Sequence, residues 1–191
     1  MARAEHVARY FLWLSVESEP TPLTQLHLHK LLYYAQGWSL AAWGERLFDE
    51  AIQAWRHGPV VPSVYPSFAD YGSSAIAQHE AREASELTRA ERGLVEVVWR
   101  EYGRFSAWKL REMTHSERPW LEAREGTPEG SPSQSVMRDE TIRAHFLAVH
   151  DRACRRIGTT SEAFARALAE AKSGKTVLLS ELRGALPRAA G

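Results

Sequence analysis

The chain has 191 residues, 44% hydrophobic and 25% charged, which is enough for one domain with its own core. Basic and acidic side chains balance at 24 each, so no overall field favours nucleic acid or an anionic membrane, and a nucleic-acid partner would need a local basic patch. The single cysteine, Cys154, allows no internal disulfide, and no apolar run approaches the roughly 20 residues that span a bilayer, so a cytoplasmic location is expected.

The apolar positions Val7, Tyr10, Phe11 and Leu14 predict an amphipathic helix over Ala4 to Ser15, ended by the prolines of ESEPTP. Arg9 interrupts the run, which therefore does not read as a signal peptide. A second helix follows, with Leu23, Leu26, Lys30, Tyr33, Gly37 and Ala41 on one stripe. Leu31, Tyr34 and Trp38 widen that stripe, so protein is expected on both sides. Gly37 costs about 1 kcal/mol within a helix and predicts close approach of another backbone, and Gly44 is placed as the C-cap. A few residues of strand around Ile52 to Trp55 lead into the Gly58-Pro59 turn. A Pro-initiated helix is then expected over Pro62 to Tyr71, closed by Gly72.

Ser73 to Glu86 reads as a surface loop. Thr88 and Glu91 have capping-box spacing for a helix that buries Leu94, Val97, Val98 and Trp99 and stops at Gly103. Two short helices are expected next. Ser106 caps the first, which buries Trp108, Leu110 and Met113; Ser116 caps the second, which turns Trp120 and Leu121 inward. After a loop, Ser135 with Arg138 to Val149 predicts a helix through Ile142, Phe146 and Val149. The last thirty residues hold a capped helix with Phe164 and Leu168, a Ser-Gly turn and the apolar run Val177 to Leu179; alone they are too few to build a core. The fold class is mainly α: a compact helical bundle with a minor β element, residues 1–155 as the main domain and 156–191 as a C-terminal helix and extended tail.

Few motifs carry chemistry. Gly174, Lys175 and Thr176 lack the glycine of a phosphate loop five residues earlier, where Ala169 stands. His27 with His29, and His145 with His150, have spacings unsuited to a shared metal ion, so neither metal nor cofactor is expected. Cys154 among Arg152, Arg155 and Arg156 reads as an incidental thiol beside the cationic end of a helix. Two histidines remain as candidate bases. His115 lies with Thr114 and Glu117 in THSERPW, and His57 precedes the Gly-Pro turn. Each also reads as structural, His57 by hydrogen bonding that turn and His115 as a polar hinge between two helices. A third reading sets both beside one surface anchored by Trp55, Tyr65, Trp108 and Trp120.

Three blocks taken together resemble the Panacea-domain, SocA-like antitoxin family, also known as phage-associated proteins. They are the helix with Lys30, Leu31, Tyr33, Tyr34, Ala35, Gln36, Gly37 and Trp38; the run with Ala54, Trp55, Gly58, Pro59, Val60, Pro62, Val64 and Tyr65; and the run with Leu110, Thr114, His115, Glu117, Pro119 and Trp120. Gly44, Leu47, Phe48, Tyr102 and Gly103 complete the pattern, which covers about residues 5 to 150. The resemblance implies a mostly helical, non-enzymatic antitoxin that binds a cognate toxin protein directly. One branch of the family implies the alternative of an adaptor that delivers its toxin to an ATP-dependent protease. A His57- or His115-dependent hydrolase or transferase ranks behind both. A homodimer stays open, and no membrane partner is expected. The candidate partner-binding residues are Trp55, Arg56, His57, Pro59, Tyr65, Thr114, His115 and Trp120 in the main domain. Phe164, Leu168, Val177, Leu178 and Leu182 are the candidates in the tail.

Overall fold

The computed structural model describes residues 1–17, 22–83, 85–128, 130–155 and 160–178, and the side chains of all of these except 150–155 and 160–162. The residues Leu182, Leu179 and Pro20, and the side chains of Cys154 and its arginine neighbours, for which the sequence raised expectations, fall outside them. Among the described residues the chain forms seven α-helices and one two-stranded sheet: α1 Ala4–Glu17, α2 Gln25–Trp43, β1 Gln53–Trp55, β2 Gly58–Val60, α3 Arg89–Tyr102, α4 Ala107–His115, α5 Arg118–Ala123, α6 Asp139–Arg155 and α7 Thr160–Lys172. The mainly α expectation with a minor β element holds.

Helix α2 is the axis of the bundle. It packs against α1, α3, α4, α6 and α7, and for that reason it is buried on nearly every side. Its N-cap is Thr24, whose hydroxyl accepts from the His27 amide while the His27 ring returns a bond to the Thr24 amide. An imidazole thus takes the place that a Glu or Gln side chain fills in a capping box, and a search for Glu or Gln overlooks it. Gly44 closes the helix in the left-handed conformation at φ 73°, as its position suggested. Thr88 and Glu91 form the expected capping box on α3.

The neighbour of Gly37 is an aromatic ring, not a backbone. A Cβ there would lie 2.2 Å from the Phe146 ring, which sits edge-on to Tyr33, Tyr34 and Trp38. Tyr34 also stacks on Tyr102 at 4.0 Å, so α2, α3 and α6 meet in one aromatic cluster.

Three other expectations change. Ser116 ends α4 instead of capping α5, and its hydroxyl donates to the Met113 carbonyl. Glu117 takes the N-cap position of α5 without a capping bond, because its carboxylate is drawn into the core. Trp108 is 63% exposed and Leu121 50%: Trp108 and Leu110 are two residues apart, about 200° around a helix, so only Leu110 faces the core. The segment expected as a helix from Pro62 is a 3-10 helix over Tyr65–Tyr71, and the loop from Ser73 contains a 3-10 turn at Gln78–Glu80 and the buried Ile76.

The tail docks on its own domain over residues 160–178. α7 lies against α3, where Gly93 leaves room for Ala171, and Phe164 meets Trp38 edge-on at 4.7 Å. The Gly174–Thr176 segment is a turn clipped to α3, its carbonyls accepting from the Arg89 guanidinium.

Candidate functional site

Strands β1 and β2 pair antiparallel, with Gln53 opposite Val60, Ala54 opposite Pro59 and Trp55 opposite Gly58. Arg56 and His57 are therefore the two residues of the turn, and both are exposed. Gly58 follows at φ +101°, a conformation that strongly favours glycine. A Cβ at Gly58 would lie 2.6 Å from Lys30 Cε and 2.9 Å from Thr114 Oγ1, so the hairpin rests directly on α2 and α4.

Lys30 has no solvent exposure, and its ammonium donates to the Pro59 carbonyl at 3.0 Å. Burial, then the Arg111 charge, lowers its pKa to about 7. The neighbouring His29 accepts the Val61 amide proton at Nδ1, and burial lowers that imidazole to about 3. These two α2 side chains hold the Gly-Pro segment, a task the sequence suggested for His57.

The run from Leu110 to Trp120 is equally committed to structure. Glu117 accepts the phenolic protons of Tyr33 at 2.7 Å and Tyr34 at 2.9 Å, and burial raises its carboxyl to about 7. Thr114 is fully buried and donates to the Arg111 carbonyl. His115 stacks on Trp120 at 3.9 Å, and the Trp120 indole donates to the Trp55 carbonyl. Thr114, His115 and Glu117 thus point to three different places and form no catalytic relay. Burial and the Arg111 charge lower His115 to about 4. Gln36 completes the frame: its amide donates to the Phe48 carbonyl and its oxygen accepts the Leu47 and Phe48 amides.

Residues 28–121 match the family model described as antitoxin SocA-like, Panacea domain. The chain carries a SocA-like Panacea domain. The antitoxin SocA of Caulobacter vibrioides (strain NA1000 / CB15N) is 42% identical over 55 residues, which is 29% of this chain and 29% of that relative's length. No solved structure matches. No helix among the described residues is long and apolar enough to cross a membrane.

Within this Panacea domain the hairpin tip divides two depressions. One, of about 400 Å³, is bordered by Leu26, Trp55, Val60, Tyr65 and Trp108. The other, of about 620 Å³, is bordered by Arg56, His57, Arg111, His115, Trp120 and Arg124. The two histidines singled out in the sequence therefore line the same recess. Of the other candidates, Pro59 and Thr114 are buried in the frame, and Phe164, Leu168 and Leu178 face the chain's own core, while Val177 is 60% exposed. Trp55 and Trp120 are half-buried beneath the tip.

Arg111 and Arg124 are what the sequence reading missed, and Trp108, read there both as helix core and as a surface anchor, is exposed. Trp108, Arg111 and His115 stand at i, i+3 and i+7, which places them on one face of α4 opposite the buried Leu110 and Thr114. That spacing was the available signal. Arg124 comes from the end of α5, where only the tertiary fold brings it under the hairpin, with its guanidinium donating to the Ala54 and Ser131 carbonyls.

Proposed function

We propose that this Panacea-domain chain is an antitoxin that neutralises a cognate toxin by direct binding, through the face formed by the hairpin tip and the outer side of α4. The observation that carries the reading is the exposure of Trp108, with the Arg111 guanidinium 4.9 Å over its ring. A large aromatic held by a cation and left in water is typical of an interface anchor. Tyr65, stacked with His29 and tilted on Trp55, extends the apolar part of the same face across the 400 Å³ depression. Lys30, Gly58 and Thr114 fix the hairpin from below, so little ordering entropy is lost when a partner docks on Arg56 and His57.

The name of the Caulobacter relative supports the antitoxin reading, as does the family description. The test is growth rescue. The product of the adjacent gene is expressed as the toxin, alone and with this chain. Rescue with a stable complex supports neutralisation by binding. Rescue accompanied by loss of the toxin, reversed when the host's ATP-dependent proteases are deleted, moves the reading to an adaptor. No rescue under either condition contradicts both.

A further inference from the structure

The 620 Å³ recess has an unusual charge inventory. Arg56, Arg111 and Arg124 contribute to its wall, together with His57, His115 and Thr127. Among the described residues no carboxylate lines it. Of the acids near it along the chain, Glu112 pairs with Lys109, Glu117 with the two tyrosines, and Glu122 with Arg118 and Arg138, while the exposed Glu125 is not part of the lining. The Arg124 guanidinium is buried and donates to neutral carbonyls, so its charge is uncompensated. Arg111 Nε and His115 Nε2 are buried with no hydrogen-bond partner. Neither atom is therefore met by an acceptor within the protein.

We propose that this recess binds a phosphate-bearing ligand. Guanidinium groups present paired N–H donors that match the oxygens of phosphate, and several cations converging on one space exceed what a single carboxylate neutralises. The volume lies in the range of small-molecule sites and far exceeds that of a bridging water. The walls are already braced, since His115 stacks on Trp120 and the Arg124 guanidinium lies 5.0 Å over the same indole. The recess shares Arg56, His57 and Arg111 with the proposed toxin-binding face, and the inference is tested on the purified chain alone, without the toxin.

The experiment is calorimetric titration with pyrophosphate, inorganic phosphate and acetate at matched ionic strength. Saturable binding of pyrophosphate at one site per chain is expected, with acetate at least tenfold weaker. Arg56→Ala, at an exposed turn position, and Arg111→Gln are each expected to weaken pyrophosphate about tenfold, the effect of one lost charge-assisted contact. Arg104→Ala, at an exposed arginine paired with Glu101, is expected to change nothing. On titration the ring protons of His57 and His115 shift, while those of His27 and His29 stay. The proposal is overturned by an absence of saturable heat, by acetate binding as tightly as pyrophosphate, or by Arg104→Ala weakening binding as much as Arg56→Ala.

Discussion

The ammonium of Lys30 lies 3.0 Å from the carbonyl oxygen of Pro59, out of reach of water, and joins the central helix to a hairpin 29 residues further along the chain. The Gly-Pro run is thereby explained. Gly58 brings the backbone down onto Lys30 and Thr114, Pro59 supplies the acceptor, and Arg56 and His57 are lifted into solvent.

Gly58→Ala is the sharpest probe of that seat. The added Cβ meets Lys30 and Thr114 and must adopt φ +101°, so a loss of about 2–4 kcal/mol is expected. In a chain of this length that corresponds to a melting temperature lower by about 5–15 °C, read by calorimetry.

Lys30→Met keeps the bulk and removes the charge. In the folded chain burial lowers the Lys30 pKa to about 7, below its unfolded value, so the unfolded chain binds more protons between about 7 and the ordinary lysine range. Wild-type stability therefore gains from this group as pH rises above 7. The wild-type melting temperature is expected to rise relative to Lys30→Met between pH 7 and 9.5, and a constant gap would count against the lowered Lys30 pKa.

Glu117 gives the opposite slope. Burial raises its folded pKa to about 7, so its contribution is fully present below the ordinary carboxylate range and is lost as pH rises through 7. Glu117→Gln, which does not titrate, should gain in melting temperature relative to wild type between pH 5 and 8.

Gly37→Ala drives a methyl group into the Phe146 ring and should destabilise by about 1–3 kcal/mol. Phe146→Leu frees part of that space, so the double variant should be more stable than the two single losses added together. A double-mutant cycle in denaturant measures the coupling.

Local features were legible in the sequence because their physics is local. The capping box of Thr88 and Glu91, the stop at Gly44 and the burial of Lys30 on an apolar stripe all follow from spacing alone. The tasks of the same residues were not legible, because each partner lies far away: Pro59 for Lys30, the tyrosine pair for Glu117, Phe48 for Gln36. Trp108 was read both as core and as a surface anchor, and the core reading failed for a different reason. Its size argued for the core, whereas its position two residues before Leu110 put it on the other side of α4. The site's arginines, Arg111 and Arg124, come from two helices and meet only after folding.

The central claim separates a buried frame from an exposed grip. It is tested most directly by the affinity of the purified chain for the adjacent gene's product. Trp108→Ala and Arg56→Ala are expected to weaken that affinity at least tenfold each while leaving the melting temperature within about 2 °C of wild type. Unchanged affinity in both variants, with binding intact, would contradict the claim.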